Sequence, residues 1–210
     1  MTGNEQVMQF GSGERELRIE LLPEPEEYGL TGTIEGKTLP GLLGIRLDET
    51  PQAERSYEVG ALLKLKESKH AVINLVPEIL ARLRDEDTFA LFTVFHETGH
   101  YVHQHYLKRT GTTEENDEKR KAYIEAGAVH PDELEADAFA ASYLGTEKTI
   151  TGLKALEQYM LDHYPKEEWD QEDRVLMSRE IEMRIGNLAE AVNNLQTLPP
   201  TLLASPKIFP

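Results

Sequence analysis

The segment His96-Glu97-Thr98-Gly99-His100 combines two histidines and a glutamate at a spacing that suits metal chemistry. On an α-helix, residues four apart lie one turn above each other, so His96 and His100 can offer two imidazole nitrogens to one ion. Glu97 then lies beside them, where its carboxylate can take a proton from a metal-bound water and pass it to a leaving amine. The spacing therefore predicts a hydrolytic site that uses zinc.

The residues around this motif have the pattern of a buried helix. Acidic residues at 85–87 favour a helix start, and Phe89 and Phe92 fall on the same stripe as the two histidines. Basic residues and a glycine within 108–111 are typical of a helix end. We predict a helix from about Asp87 to Leu107.

A third ligand must come from elsewhere, because zinc in hydrolases usually takes three protein ligands and one water. Residues 130–145 predict a second helix, with Pro131 at its first position and Gly145 at its end. The small residues that would allow close packing on the first helix are Ala136, Ala138, Ala140 and Ala141. Glu133 and Asp137 share one face of this helix. We predict that Glu133 binds the metal and that Asp137 hydrogen-bonds a ligand histidine, which fixes its tautomer.

The two motifs together, His96-Glu97-Thr98-Gly99-His100 and Glu133-Leu-Glu-Ala-Asp137, resemble the gluzincin pattern of the ImmA/IrrE group of metallopeptidases. Membrane peptidases of the HtpX type have a similar arrangement. The resemblance extends over about residues 71–144 and is specific in these two motifs. In both groups the first glutamate of the downstream motif is the third zinc ligand, which implies that role for Glu133. ImmA/IrrE proteins often have Asn where this chain has Asp137, so this position is closer to the HtpX type.

The composition narrows the possible compartments and partners. The chain of 210 residues has no cysteine, which excludes disulfides and thiolate metal sites and fits a reducing compartment. A net charge of −16 disfavours direct binding of nucleic acid and makes a basic partner easier to accommodate. The N-terminal residues lack a signal-peptide pattern, and no apolar run reaches the length of a membrane span. We expect a soluble cytoplasmic protein, which argues against the HtpX type.

The pattern changes from strands to helices near residue 76. The predicted strands are 17–21, 30–34, 42–47, 61–66 and 70–75, and the predicted helices outside the motifs are 76–84, 151–164 and 168–195. We predict an α+β, zincin-like fold in which a small N-terminal sheet packs on a helical bundle that carries both motif helices.

The predicted domain organisation is a single domain with two extensions. Residues 1–15 are expected to be a flexible N-terminus, and 198–210 an extended C-terminal tail. The domain spans 16–197, sheet-rich over 16–76 and helical over 77–197. The stripe formed by Ile181, Ile185, Leu188, Val192 and Leu195 is either core or a dimer seam.

Two segments have alternative interpretations. The strand at 70–75 either lies at the sheet edge, where it would accept a substrate as an extra strand, or is an ordinary internal strand. Residues 108–121 are too polar for the core and are expected to form a mobile surface loop, as a lid over the site or as a solvated connection.

The remaining polar residues are assigned minor roles. His103 is expected to support a ligand or to be solvated, and His70, His105 and His130 are expected at the surface or at helix caps. A donor for the oxyanion of peptide hydrolysis could come from Tyr143, His163, Tyr164 or Arg184, and the sequence favours none of them.

These residues predict a zinc-dependent endopeptidase acting on a protein substrate. The resemblance to ImmA/IrrE proteins implies a cytoplasmic regulatory protease, whose substrates in that group are typically DNA-binding repressors. Two alternatives stay open: a non-catalytic zinc-binding interaction protein, and a zinc hydrolase of a non-peptide amide.

Overall fold

The computed structural model of the chain describes residues 7–12, 15–21, 28–34, 37–38, 43–47, 60–64, 71–83, 85–105, 113–163 and 171–197. Within these ranges the chain forms seven strands followed by six helices. The α+β class predicted from the sequence is therefore confirmed. The predicted tail at 198–210, His70, Tyr164 and the helix-end signals at 108–111 lie outside the described residues.

The strands are β1 (Val7–Ser12), β2 (Arg15–Leu21), β3 (Tyr28–Ile34), β4 (Lys37–Thr38), β5 (Leu43–Leu47), β6 (Gly60–Lys64) and β7 (Ala71–Leu75). They form one sheet in the order β1-β2-β3-β5-β7-β6, and β4 pairs with β3. All pairs among these strands are antiparallel except β5 with β7, which is parallel. The sheet is therefore larger than the small sheet that the sequence predicted.

The alternation of apolar and polar residues explains how this sheet covers the core. In β2, Leu17 and Ile19 are fully buried whereas Arg18 between them is exposed. Ile19 pairs with Met8 of β1, which is also buried. The first fifteen residues are therefore not entirely a flexible terminus: that prediction is wrong for Val7–Ser12, which is the first strand of the sheet.

The position of β7 in the sheet corrects one sequence expectation. β7 pairs with β5 on one side and with β6 on the other, so both of its backbone edges are occupied. A strand with two neighbours cannot accept a further one, and the edge-strand interpretation of 70–75 is wrong. Among the described strands, β6 lies at this end of the sheet.

The helices are α1 (Pro77–Leu83), α2 (Thr88–Val102), α3 (Thr113–Glu125), α4 (Pro131–Leu144), α5 (Thr146–His163) and α6 (Gln171–Thr197). Strands give way to helices between Leu75 and Pro77. α5 begins five residues earlier than predicted, directly after Gly145. In α6, Ile181 and Leu188 of the predicted stripe are buried and belong to the core.

Helix α3 replaces the surface loop that the sequence predicted at 108–121, so that prediction is wrong from Thr113 onward. The helix is mostly polar, and among its residues of described burial only Ile124 is buried. A salt bridge also joins it to α6: Arg120 Nε donates to Glu180 Oε1 and Oε2 at 2.9 and 3.0 Å. Glu180 is only 3% exposed. Polar composition alone does not predict this helix, because its anchor is 60 residues away.

A close crossing brings α5 against α2. A Cβ atom added at Gly152 would overlap Phe92 Cβ, so no larger residue fits there without moving a helix. Phe92 and Leu153 are both buried at this crossing. Among the described residues, no helix combines the length and apolarity needed to cross a bilayer.

Candidate metal centre

Helix α2 carries both motif histidines, and its limits follow from capping. The Asp87 side chain accepts hydrogen bonds from the backbone N–H groups of Phe89 and Ala90 at 3.0 and 3.2 Å, which satisfies donors that the helix leaves open. The helix ends at Val102, five residues before the predicted Leu107. Gln104 then adopts a φ of 57°, the left-handed conformation that often follows a helix end.

Helix α4 carries the predicted third ligand, and it begins and ends as the sequence indicates. His130 is its N-cap, and its Nδ1 accepts from the backbone N–H of Asp132 at 3.2 Å. This confirms a capping role for His130. Pro131 occupies the first turn, and Gly145 at the other end has a φ of 83°, which favours glycine.

Small residues let α2 and α4 approach closely, as predicted. A Cβ atom at Gly99 would lie 2.8 Å from Ala136 Cα and 3.0 Å from Phe139 Cβ. Gly99 therefore allows the backbones to pack at a distance that any side chain would prevent. Ala136 and Ala140 are buried, but Ala138 is exposed and does not contribute to the contact.

This packing brings His96, His100 and Glu133 into one buried group that could hold a metal ion. The two Nε2 atoms of His96 and His100 are 3.1 Å apart. His96 Nε2 lies 3.3 Å from Glu133 Oε2, and His100 Nε2 lies 3.7 Å from Glu133 Oε1. All three residues are less than a tenth exposed. Thus each of the three predicted ligands points a donor atom at the same small volume.

The spacing and the chemistry of these donors fit zinc. Zinc binds histidine nitrogen and carboxylate oxygen at about 2.0–2.2 Å, so tetrahedral ligand atoms lie roughly 3.3–3.5 Å from one another. The two Nε2 atoms are 3.1 Å apart and lie 3.3 and 3.7 Å from one or the other oxygen of Glu133, close to these values. Two imidazoles and one carboxylate are also a ligand set that catalytic zinc sites use. The group is therefore compatible with zinc.

Asp137 and Arg184 support the histidine at the start of the motif. His96 Nδ1 donates to Asp137 Oδ1 at 3.0 Å, which leaves Nε2 directed at the ligand group. Arg184 of α6 donates from Nε to Asp137 Oδ2 at 2.8 Å and from Nη2 to Asp137 Oδ1 at 2.6 Å. Its Nη1 lies 3.3 Å from Glu133 Oε2. The sequence indicated Arg184 as one possible oxyanion donor, but its guanidinium is buried and bound to these carboxylates.

The charges around the site keep Glu133 and Asp137 of α4 ionised. Burial disfavours the Glu133 carboxylate, but the positive charge of Arg120, the hydrogen bond from His96 and the charge of Arg184 hold its pKa well below the ordinary value. Burial also disfavours ionised Asp137, and Arg184 outweighs it and lowers the pKa of Asp137. A deprotonated Glu133 is the form that binds a metal ion.

His96 has the opposite behaviour in the metal-free protein. Burial lowers its pKa, but hydrogen bonds to Asp137 and Glu133 exceed that effect and raise the pKa to about 9. The protonated ring can donate to both carboxylates, one from each nitrogen. A metal ion bound at Nε2 would have to displace one of these protons.

The second histidine of the motif has a different partner, which the sequence did not predict. His100 Nδ1 lies 2.7 Å from His105 Nδ1, and His105 Nε2 lies 2.9 Å from Glu135 Oε2. His105 is completely buried, so the prediction of a surface or capping position is wrong for it. His103 is about a third exposed, and its Nδ1 lies 3.8 Å from Glu135 Oε2. His103 thus approaches an acid on α4 that is not among the three proposed ligands.

Glu97 is partly exposed, whereas the two histidines that flank it in the motif are buried. Of the predicted oxyanion donors, His163 is exposed at the end of α5 and its Nδ1 donates to Tyr159 O at 2.9 Å. Tyr143 stacks on Phe95 with ring centroids 5.5 Å apart. None of these contacts assigns an oxyanion donor.

Comparison with protein-family models, with curated proteins and with solved structures finds no match for this chain. The fold and the site define an α+β protein with a buried His-His-Glu group that could hold a metal ion.

Proposed function

We propose that this protein is a zinc-dependent endopeptidase of the gluzincin type that cleaves a protein substrate. The observation that carries the proposal is the meeting of His96, His100 and Glu133 within one buried group, with Glu97 in the same helix as both histidines. Three protein ligands leave a position for water in a tetrahedral site, which is the arrangement of catalytic zinc.

The proposed roles of the residues follow from their positions. His96, His100 and Glu133 hold the ion, which when bound would supply Lewis-acid activation of water and of the scissile carbonyl. Glu97 accepts the proton of the attacking water and donates it to the leaving amine. Asp137 orients His96, Arg184 keeps Asp137 ionised, and Arg120 and Arg184 together keep Glu133 ionised in the buried site.

A protein substrate is favoured over a small amide by the resemblance of both motifs to ImmA/IrrE peptidases. The sheet adds support, since its end strand β6 packs beside α2, and an edge strand can bind an extended peptide by backbone hydrogen bonds. The net charge of −16 favours a basic substrate segment, such as part of a DNA-binding repressor, and disfavours nucleic acid itself. We propose the cytoplasm as the compartment, in line with the absence of cysteine.

The test combines metal analysis with cleavage of a peptide library made from a proteome digest. The purified wild-type protein should hold one zinc per chain and cleave a subset of peptides. The variant Glu97→Gln should keep the zinc and lose at least about 100-fold in cleavage rate, because it removes the general base. His96→Gln should lose both. Glu118→Gln, on the exposed face of α3, is the matched control and should keep both.

One observation favours a second candidate, a non-catalytic zinc-binding interaction protein: the three proposed ligands are all buried. In that case Glu97→Gln would change nothing measurable, and the zinc would have four protein ligands and no exchangeable water. Undiminished cleavage by Glu97→Gln would exclude the proposed mechanism. Hydrolysis of small amides with no peptide cleavage would point instead to a non-peptide amide hydrolase.

A further inference from the structure

His105 is fully buried, yet the proposed function assigns it no role. Its ring lies between His100, a proposed ligand, and Glu135, whose side chain is 49% exposed. A buried imidazole that contacts two titratable groups is seldom placed by packing alone, because its polar nitrogens must be satisfied. The hydrogen bonds that link His100, His105 and Glu135 in series indicate a role for His105. This inference rests on the proposed metal site.

The backbone is shaped to bring His105 back to His100. On a continuous helix, residues five apart point about 140° away from each other, so the two rings could not meet. Helix α2 instead ends at Val102, and the backbone N–H of His103 donates to Gly99 O at 3.0 Å. Gln104 then takes its φ of 57°, which costs energy for a residue other than glycine. This reversal places the His105 ring against His100 with ring centroids 5.0 Å apart.

When His100 binds a metal, the donor and the acceptor of each hydrogen bond in the series His100-His105-Glu135 are determined. Nε2 of His100 faces His96 and Glu133, so it is the ligand atom and Nδ1 must carry the hydrogen. This N–H donates to His105 Nδ1, at 2.7 Å. His105 must then carry its own hydrogen on Nε2, which donates to Glu135 Oε2 at 2.9 Å. Asp132 Oδ1 lies 3.7 Å from the same Nε2, farther than Glu135 and beyond hydrogen-bond distance.

We propose that His105 is a positioning residue that holds His100 in the tautomer whose Nε2 binds the metal, and that Glu135 sets the tautomer of His105. The two ligand histidines thus have unlike supports. His96 donates to a buried carboxylate that is paired with Arg184, whereas His100 donates to the His105 imidazole, which in turn contacts an acid at the surface. Outer partners of this kind typically change metal affinity by about 10- to 100-fold.

The test exploits the shapes of two amides. Asparagine places its oxygen close to where His105 has Nδ1, so His105→Asn retains an acceptor for His100. Glutamine places its amide near the position of Nε2, so His105→Gln keeps the contact with Glu135 and removes the acceptor. Zinc affinity is measured by competition with a chelator. We expect His105→Asn to bind within about threefold of wild type and His105→Gln to bind about 10- to 100-fold more weakly.

Three further measurements make the result specific. Visible spectra of the cobalt-substituted proteins should change for His105→Gln and not for His105→Asn, since the ligand field reports the orientation of His100. Glu135→Ala, at a half-exposed position where folding is not at risk, should weaken zinc binding by a smaller factor in the same direction. His163→Gln, on the exposed end of α5, is the control and should bind zinc as wild type does.

The outcomes separate this inference from the proposed function. Equal affinity of wild type, His105→Gln and Glu135→Ala would overturn the role of His105 while the metal site stands. Equal losses in His105→Asn and His105→Gln would also overturn it, because they would indicate a packing role. A second equivalent of zinc that is lost on changing His105 would show a ligand role instead. A wild-type protein that binds no zinc would reject the proposed function itself.

Discussion

Arg184 and Asp137 form a buried bidentate ion pair, with Nε 2.8 Å from Oδ2 and Nη2 2.6 Å from Oδ1. Both residues are about 1% exposed. The same guanidinium lies 3.3 Å from Glu133, so one residue of α6 contacts both Asp137 and Glu133 of α4. A fork-shaped donor can satisfy this geometry, whereas a single ammonium group cannot.

Replacing Arg184 should destabilise the metal-free protein strongly. Arg184→Met removes the charge but preserves much of the volume. It leaves Asp137 buried without its ion-pair partner and removes one of the positive charges near Glu133. Breaking a buried pair in this way costs about 3–5 kcal/mol, which urea unfolding would measure. Arg179→Met, at an exposed position of the same helix, should change the free energy of unfolding by less than about 0.5 kcal/mol. Equal stability of the two variants would contradict the assigned role.

The protein should remain folded when its metal is removed. In the described site the ligands already contact one another and Arg184, so the Glu133 carboxylate does not depend on the ion for a partner. A chelator should leave the far-ultraviolet circular dichroism unchanged and lower the melting temperature. Zinc at about a thousand times its Kd should add about 4 kcal/mol to the free energy of unfolding. Loss of the helical signal on chelation would show that folding requires the metal.

The stability of the metal-free protein should fall as the pH rises from about 6.5 to about 9. His96 has a folded pKa of about 9 against an ordinary value of 6.5, so its protonated form favours the folded state. That contribution is complete below pH 6.5 and is lost as the pH passes through 9, by up to about 3 kcal/mol. Urea unfolding across this range would measure it. His96→Gln provides the comparison, and an equal slope in that variant would assign the effect to another group.

Gly99 and Gly186 offer a matched pair of glycine substitutions in helices. Gly99→Ala introduces a methyl group 2.8 Å from Ala136 Cα and should destabilise the fold by about 1–3 kcal/mol, since α2 and α4 must separate. It should also weaken zinc binding, because Glu133 moves with α4. Gly186→Ala meets nothing within 4 Å and should stabilise α6 by about 0.4–1 kcal/mol. Urea unfolding and zinc titration of both variants test the pair. Wild-type zinc affinity in Gly99→Ala would show that helix spacing does not set the site.

The sequence predicted those parts of the site that local patterns determine. Helical spacing places His96 above His100, and the proline, acids and glycine of α4 identify its ends and the face that carries Glu133. Five of the seven described strands were also predicted, because alternation of apolar residues is a local signal. Strand order is not local, so the sequence could not decide between an edge and an internal position for β7.

The sequence predicted the supporting role of Asp137 but not those of His105 and Arg184, because the signals for these two lie outside the motifs. His105 contacts His100 only because Gln104 reverses the chain, and no residue type in that turn indicates a positive φ. Arg184 is 47 residues beyond Asp137, and a single arginine in a charged helix resembles any solvated one. The sequence predicts a loop in place of helix α3, because the segment is mostly polar and Glu180, the partner of Arg120, lies 60 residues further along the chain.

Glu180 and Arg184 lie one turn apart on α6, and each meets its opposite charge on a different helix, Arg120 of α3 and Asp137 of α4. Sliding α6 by one residue would shift it by about 1.5 Å and rotate it by about 100°, which would part both pairs at once. The two ion pairs can therefore form together in only one axial and rotational position of α6. An apolar stripe alone would allow α6 to pack in neighbouring positions. The ion pairs exclude these positions and so fix the Arg184 guanidinium beside the proposed ligands.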